Sequence, residues 1–517
     1  MKTIMYTIEK FNRIFRNGNM KNCRFLFIIL FIFVGISLSF LGCTRAKIPL
    51  TKIEVPMVGV PFPELPIPFP KIPLLMSGEG DYRLLSWKKS FSRLGEQIER
   101  EYPYTEWKGI SWSDLSKTYS AKIAEVKRKR DRDGFYLALR EFMYSIPDAN
   151  VRVETNERIR SANIGGGYGF AMVRTDDNRY VVFYVEEGSS AEKAGMRVGA
   201  ELVQWNNGPV EKAVLETPVL WADTPPATQD GKIWEKCKLL SRAPVDTEVA
   251  VSFVNPGEAD TRVAKLIAEE DDYATLKSPV WQKISAGPTD SPLEKRILDG
   301  GYGYVHILFF SPSINTPFPG QAFQKMISNF IRDDVPGLII DLRGNTGGDP
   351  ELIPRFAGYF VEEETFFHDL AFYSKKEKGF KMSPGDRIVI KPFPMHYRGQ
   401  IVVLVDYGTA GSAEGFASVL SKQKNIQVIG MSSTRGSMGV PGGDVRMPNG
   451  ITLSYPVARS LDKDGQIQIE ANAKGEGGIT PTIKIPITVE SLQRMAEGKD
   501  IVIEKAMEVL SKTQQSN

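Results

Sequence analysis

Cysteine is scarce in this 517-residue chain, which contains only three. Cys23 and Cys43 lie in the first fifty residues, and Cys237 is the only cysteine in the rest of the chain. A single cysteine leaves that part without an internal disulfide. Because Cys237 lies in an apolar helical pattern, we predict that it is buried and packs as a small hydrophobic residue, and that it is not a nucleophile.

Strong net charge, repeats and clustered histidines are also absent. The 65 Lys and Arg nearly balance the 62 Asp and Glu, so no basic surface for nucleic acid is expected. The histidines, His306, His368 and His396, lack metal-ligand spacing, and we predict no metal and no other cofactor. We expect His368 and His396 in a surface loop or short strands. The length exceeds what one core accommodates and predicts two or three domains.

The N-terminal segment has the pattern of a targeting signal. An apolar run from Phe25 to Gly42 follows Lys21 and Arg24 and ends at Cys43. It resembles a bacterial lipoprotein signal, in which Cys43 becomes the lipidated first residue, and Met20 is an alternative start. The other interpretation is an uncleaved membrane anchor. Both interpretations place the rest of the chain outside the cytoplasm, and the first predicts a lipid-anchored protein of the bacterial envelope that faces the periplasm or the exterior.

Three composition changes mark the chain after Cys43. Dense proline between Lys47 and Pro73 predicts an extended, semi-rigid tether. Helical spacing from Leu84 to Pro147 predicts a helical cap, with a helix-start signature at Ser111 to Asp114 and a third helix from Phe135 to Ser145. Residues 164–267 then become β-rich, with a strand at Tyr180 to Val185.

The β-rich segment resembles a PDZ domain. A loop of Gly167, Tyr168, Gly169 and Phe170 precedes a strand, and a short Ala-x-x-Ala-Gly helix and a second strand ending in Trp205-Asn206 follow. The resemblance implies that this loop binds the C-terminal carboxylate of a peptide that adds as a strand. The alternative is a spacer whose groove is filled by its own chain. The insertion from Pro209 to Arg242, with a helix around Trp234 to Leu240, is long enough to cover that groove.

From Gly301 onwards strands alternate with helices, which predicts a layered α/β domain. The strand Gly337 to Arg343 ends in a turn with Gly347 and Gly348. The strand Ile401 to Val405 ends in a turn with Ser412, followed by a helix. Ligands bind beyond the carboxyl ends of such strands, and a helix N-terminus favours developing negative charge. The alternative is an ordinary connection in which Ser412 only caps the helix.

The motifs of this region together resemble the C-terminal-processing (tail-specific) serine peptidase family. They comprise residues 341–348, the turn at Ser412, the segment Thr434 to Gly439, and the strand and loop between Asn449 and Pro481. The resemblance extends from Leu84 to about Ser511. It implies a crotonase-like α/β (ββα-spiral) core that hydrolyses peptide bonds, with substrate tails held by the PDZ-like domain.

Two branches of this family differ in their base. The processing proteases use a lysine after Thr-x-Gly, where this chain has Ser437, and the neighbouring Arg435 cannot serve as a base. The tricorn-type branch takes a histidine from a Gly-Tyr-x-His-Ile strand, which Gly303 to Ile307 matches. The resemblance therefore is closest to the tricorn-type branch and implies His306 as the general base. Val305 stands where tricorn has a serine.

The position of the nucleophile depends on the register. In most members the serine precedes a glutamate by three residues, which puts Gly411 at that position relative to Glu414. The tricorn-type Ala-Gly-Ser pattern matches Ala410 to Ser412 directly and implies Ser412 as the nucleophile. We predict Ser412.

The resemblance then implies a complete mechanism. His306 takes the proton from Ser412, which attacks the peptide carbonyl. The N–H groups of Ala413 and of Gly347 or Gly348 form the oxyanion hole. Glu476 orients the histidine, with Glu470 as the alternative.

The sequence therefore predicts a multidomain α+β protein. The predicted parts are a signal peptide with lipobox (1–43), a proline-rich tether (44–80), a helical cap (81–160), a PDZ-like domain with insertion (161–270) and a crotonase-like peptidase core (271–517). The predicted function is a serine endopeptidase acting on extracytoplasmic proteins and peptides. The alternatives are an inactive relative that binds peptides or ligands and, less favoured, a crotonase-like acyl hydrolase. The oligomeric state is left open.

Overall fold

The computed structural model describes residues 80–276, 291–382 and 385–516. The predicted signal peptide, Cys43 and all of the proline-rich tether but Gly80 lie outside these ranges. Three helices come first: α1 (Trp87–Glu101), α2 (Trp112–Lys129) and α3 (Arg132–Tyr144). Ser111 caps α2 by accepting the Asp114 N–H, as predicted. Helix α3 starts three residues before the predicted Phe135 because Asp131 caps it through the Gly134 N–H.

The middle of the chain forms a mainly antiparallel region. Its elements are β1 (Arg152–Val153), α4 (Glu157–Ile164), β2 (Gly166–Gly167), β3 (Phe170–Arg174), β4 (Tyr180–Val185), α5 (Ser190–Lys193), β5 (Glu201–Trp205), β6 (Gly208–Pro209), α6 (Val210–Glu216), α7 (Gln229–Leu240), β7 (Arg242–Ala243), β8 (Glu248–Val254), β9 (Arg262–Ile267) and β10 (Glu269–Glu270). Strands β3-β4-β5-β8-β9 form one sheet in that order. Helix α7 starts before the predicted Trp234 because Thr228 caps it. Cys237 on α7 is fully buried with Phe170 and Met172, as predicted.

The remaining residues form the region that carries the candidate site. Its elements are β11 (Leu293–Ile297), β12 (Gly303–Ile307), α8 (Pro319–Arg332), β13 (Leu338–Asp341), α9 (Leu352–Ala357), β14 (Thr365–Ser374), β15 (Gly379–Lys381), β16 (Arg387–Ile390), β17 (Ile401–Val405), α10 (Ser412–Ser421), β18 (Ile426–Gly430), β19 (Val440–Pro441), β20 (Val445–Arg446), β21 (Thr452–Ser454), β22 (Pro456–Leu461), β23 (Ile483–Lys484), α11 (Val489–Ala496) and α12 (Ile501–Ser516). A six-stranded sheet runs β11-β12-β13-β17-β18-β23 and is parallel except for β11.

Both faces of this sheet are covered, which explains the unbroken apolar run of β17. On one face, Val305 and Ile307 pack in a core that includes Phe416 of α10. On the other face, Tyr304 packs in a core that includes Leu510 of α12. Successive residues of β12 therefore face opposite layers.

The helical cap is packed directly on the core region. Strand β1 pairs with β21, and Arg152 lies opposite Ser454. The hydrophobic core of α1–α3 also contains Val445, Leu453 and Tyr455. The structure is thus mixed α+β, as predicted. No helix within the described ranges is long and apolar enough to cross a membrane.

Candidate active site

The turn between β17 and α10 has the backbone of a sharp strand-to-helix bend. Gly411 at its apex has φ 57° and ψ −122°, a conformation that strains any residue with a side chain. Its N–H donates to Ser437 O at 3.2 Å and to Glu414 Oε2 at 3.1 Å. The residue at the apex of the bend is therefore Gly411, which caps the helix, whereas Ser412 is already the first residue of α10.

Glu414 ties this bend to the segment after β18. Its fully buried carboxylate accepts from Thr434 Oγ1 (2.5 Å), Gly436 N (2.6 Å) and Ser437 N (3.1 Å), in addition to Gly411 N. Burial raises the pKa of Glu414, and these donors oppose the rise. These four hydrogen bonds fix Glu414 in the turn. Counting back three residues from Glu414 gives Gly411, not Ser412.

The structure brings Ser412 and the Gly347–Gly348 turn together. Ser412 Oγ donates to Gly348 O at 2.8 Å, and the serine is buried. The Gly347 N–H donates to Asn345 Oδ1 at 2.8 Å, and the Ala413 N–H donates to Ala410 O at 3.2 Å. Two of the predicted oxyanion donors are thus already bonded within the chain.

His306 lies on the opposite side of the sheet from the Ser412 helix. Its neighbours Val305 and Ile307 share a core with α10, so the alternation of β12 turns His306 toward the α12 face, where its ring is 6.4 Å from that of Tyr304. Nε2 is 3.5 Å from Arg343 O, and Nδ1 is 3.8 Å from a carboxylate oxygen of Glu294. The structure does not bring His306 to Ser412.

The two glutamates predicted to orient His306 also lie elsewhere. Glu476 is exposed and accepts from Asn472 Nδ2 at 2.9 Å. Glu470 is buried, pairs with Lys108 Nζ at 2.7 Å and accepts the Met438 N–H at 2.9 Å. The predicted Ser412–His306–Glu476 arrangement is therefore not assembled, because the sheet separates its first two members and Glu476 is bonded in its own loop.

The prediction of a surface loop or short strands around His368 is wrong. Residues Thr365–Ser374 form the ten-residue strand β14. His368 is buried, with Nδ1 3.0 Å from Ser460 Oγ, and burial lowers its pKa to about 3. His396 is half-buried, with Nδ1 3.1 Å from Phe393 O.

The loop predicted to bind peptide termini is engaged by its own chain. Gly167 in β2 pairs with both β7 and β10, and the Tyr168 N–H donates to Ser241 O at 3.1 Å. Gly169 has φ 84°, and its carbonyl accepts the Glu186 N–H at 2.8 Å. Tyr168 and Phe170 are buried in the core below the loop.

The cap supplies residues to the bend that the sequence did not reveal. The Ala149 N–H donates to Ser437 Oγ at 3.1 Å, on the residue whose carbonyl accepts from Gly411. Beside it, Asn150 Nδ2 is buried without a hydrogen-bond partner among the described residues. The contact between Ala149 and Ser437 joins positions almost three hundred residues apart, and no local pattern signals it.

Sequence comparisons with known proteins match the layered core region to a family of peptidases. Residues 301–485 match the model described as Peptidase family S41. The carboxy-terminal processing protease CtpA of Bacillus subtilis (strain 168) is 24% identical over 359 residues, which cover 68% of this chain and 65% of that protein. The chloroplastic C-terminal processing peptidase of Tetradesmus obliquus is 24% identical over 343 residues, covering 64% and 65%. This chain thus matches slightly less than two thirds of the length of these relatives.

A solved structure shares the fold. Mature CPAF complexed with lactacystin superimposes with a TM-score of 0.58 at 16% identity, covering 83% of this chain and 98% of that one. The chain therefore has homologues among the C-terminal processing serine proteases of family S41, and its fold resembles that of mature CPAF.

Proposed function

We propose that this chain, which has S41 serine peptidases as its homologues, is itself a serine peptidase that hydrolyses peptide bonds of extracytoplasmic proteins. The observation that carries the proposal is the contact between Ser412 and the Gly347–Gly348 turn, with Ser412 Oγ 2.8 Å from Gly348 O. A serine hydroxyl at the first position of a helix, beside a glycine turn, is suited to acyl transfer. Protein or peptide substrates are the partners that this chemistry requires.

Ser412 is the nucleophile in this proposal. Its hydroxyl must leave Gly348 O before it attacks the peptide carbonyl, and the proton that it loses passes to solvent water, from which the leaving amine takes a proton. The N-terminus of α10 favours the negative charge that develops on the carbonyl oxygen. Because His306 faces the other layer and Glu476 is exposed, the proposal gives neither of them the role of base.

A fluorophosphonate probe tests this directly. We expect the wild-type protein to be labelled, Ser412→Ala to lose labelling, and Ser421→Ala on the exposed end of the same helix to keep it. Cys237→Ala should also keep it. A wild-type protein that is folded yet unlabelled would rule out the peptidase proposal.

A second candidate is a relative that binds polypeptides without cleaving them, and the geometry of Gly411 favours it. Gly411 stands at the apex of the bend, three residues before Glu414, where most of the family has its serine. A Cβ added there would lie 3.6 Å from Thr346 O and 3.8 Å from Gly347 Cα, which is ordinary contact. The bend has space for a side chain that this sequence lacks.

Protein digestion separates the two candidates. If the second is correct, wild type and Ser412→Ala retain a fluorescent unfolded casein equally well, and mass spectrometry finds no cleavage. Cleavage that disappears in Ser412→Ala would exclude it.

We further propose that substrate tails engage the PDZ-like region, where β3 is an edge strand of its sheet. Gly169→Ala should disturb the adjoining loop, since its Cβ would lie 2.1 Å from Ser189 Cβ. Substrates with a free C-terminus should then lose more turnover than substrates with an amidated one. Equal losses would argue against tail recognition.

Finally, we propose that Cys43 carries a lipid that anchors the chain at a bacterial membrane, facing the periplasm or the exterior. Acyl chains contribute about 0.8 kcal/mol per buried methylene. Incorporation of a fatty-acid analogue should vanish in Cys43→Ser and persist in the matched control Cys23→Ser. Labelling that survives Cys43→Ser would contradict the anchor.

A further inference from the structure

A cavity of about 270 Å³ lies at the carboxyl edge of the six-stranded sheet. His306, Asp341, Asp406 and Ser432 line it where β12, β13, β17 and β18 end, and helix α7 closes it from the middle region with Trp234. Neither Gly411 nor Ser412 lines it. The cavity therefore does not contain Ser412, although Asp406, Tyr407 and Gly408 of the same turn line it. It occupies the edge at which layered α/β sheets bind ligands.

The cations of the cavity differ in how they are paired. Arg343 binds Asp341 at 2.6 Å and Asp500 at 2.8 Å, and is fully compensated. The guanidinium of Arg435 makes hydrogen bonds only at the limit of hydrogen-bond distance, 3.4 Å to Tyr407 O and 3.5 Å to Thr224 Oγ1. Its guanidinium forms no ion pair with any carboxylate in the described ranges, although Asp223 and Glu235 line the same cavity. This half-buried guanidinium therefore has hydrogen-bond donors that no carboxylate fills.

Ser432, three residues before Arg435, is a second residue whose hydrogen-bonding capacity is not used. Its hydroxyl is buried and has no hydrogen-bond partner among the residues that the structure describes. A guanidinium and a hydroxyl donor together suit a carboxylate, which accepts at two oxygens.

Aromatic rings form the wall beside these donors. The guanidinium of Arg435 lies 5.4 Å from the centre of the Tyr407 ring, and Trp234 stacks on that ring at 6.2 Å and 29°. Met431 and Met495 add further apolar lining. A ligand that binds the donors with its carboxylate and packs against this wall therefore has an apolar, preferably aromatic, group next to the carboxylate.

We propose that this cavity is a binding site for a carboxylate with an apolar body, anchored by Arg435 and Ser432. The carboxylate comes either from a small organic acid or from the end of a polypeptide, and the test distinguishes them. The site does not depend on hydrolysis at the bend. It adjoins the bend, because the Arg435 N–H donates to Thr409 O at 3.0 Å, in the turn that leads to Gly411.

Calorimetric titration with two matched pairs of probes tests the proposal. The first pair is phenylacetate and phenylacetamide, and the second is a hexapeptide ending in phenylalanine with a free or an amidated C-terminus. We expect the acid of at least one pair to bind and its amide not to bind. Binding of the small acid alone assigns an organic acid, whereas binding of the free peptide assigns a chain end. If neither acid binds at millimolar concentration, or each amide binds as well as its acid, the proposal is wrong.

Variants locate the bound carboxylate. Arg435→Gln should weaken acid binding at least about tenfold, since a charge-assisted hydrogen bond is lost. Arg332→Gln, an exposed arginine on α8, is the control and should bind normally. Acid binding by Ser432→Ala provides an independent test if Arg435→Gln folds poorly, and we expect this variant also to bind the acid more weakly. Ser412→Ala should bind like wild type, which separates this site from the proposed hydrolysis. Normal binding by both Arg435→Gln and Ser432→Ala would overturn the assignment.

Discussion

His368 gives the folded protein a measurable dependence on pH. Its side chain is 3% exposed, and burial lowers its pKa from 6.5 to about 3, with Asp369 opposing the shift. Between these two values the unfolded chain binds a proton that the folded chain excludes. The free energy of unfolding therefore falls as pH drops below 6.5, by up to about 1.4 kcal/mol per pH unit from this residue.

Replacing the histidine should remove this contribution. We expect His368→Asn, which can still bond to Ser460, to show a flatter dependence of unfolding free energy on pH than wild type between pH 6.5 and about 5. Urea titrations at several pH values give that slope. Parallel curves for wild type and His368→Asn would contradict the assignment.

Residue-level chemistry was only partly readable from the sequence. The sequence predicted that Ser412 and the Gly347–Gly348 turn both follow the carboxyl ends of strands, and the structure shows that these two strands are neighbours and that the turns are in contact. The sequence did not show toward which side of the sheet His306 points. Strand β12 is buried on both faces, so its sequence lacks the apolar–polar alternation that marks a buried and an exposed face. His368 was misjudged for a similar reason, since a polar residue in a buried strand resembles one in a loop.

At the scale of elements, one buried ion pair joins the cap to the core. Lys108, in the connection between α1 and α2, binds Glu470 at 2.7 Å, and both side chains are fully buried. Lys108 Nζ also donates to Pro147 O and Ala471 O. Burial raises the pKa of Glu470, and Lys108 counteracts that rise. The pair thus holds the loop that precedes Glu476 against the cap.

Removing one partner should cost much more than removing both. Lys108→Met leaves a buried carboxyl without its cation and should destabilise the fold by about 3–5 kcal/mol. The double variant Lys108→Met/Glu470→Gln should recover part of that loss, because the amide oxygen can still accept the Met438 N–H. A double-mutant cycle from urea midpoints measures the coupling.

An exposed pair provides the control for this cycle. Lys122 bonds to Glu141 with both side chains about a third exposed or more, so Lys122→Met should cost at most about 1 kcal/mol. Additive losses for Lys108 and Glu470 would show that the buried pair does not act as a unit.

At the scale of the whole molecule, the parts predicted as separate are bound together by their contacts. Arg140 of the cap donates from Nε to Leu220 O and from Nη2 to Ala222 O in the insertion of the middle region. The sequence predicted a helical part, then a β-rich part and then a layered α/β part, because each has its own periodicity. It did not reveal these junctions, since they depend on backbone carbonyls, which any residue type supplies.

The cap should therefore not fold alone, although its three helices look self-contained in the sequence. Its hydrophobic core is completed by Val445, Met447, Leu453 and Tyr455, and β1 has its pairing partner in β21. We expect a fragment of residues 81–160 to show little cooperative thermal unfolding by circular dichroism, because it lacks these residues and exposes the apolar faces that they cover. In the longer chain from residue 80 to 517, helix content and tryptophan emission should change in one shared transition. A fragment that unfolds cooperatively, or a longer chain whose two signals change at different temperatures, would show instead that the cap is an independent domain.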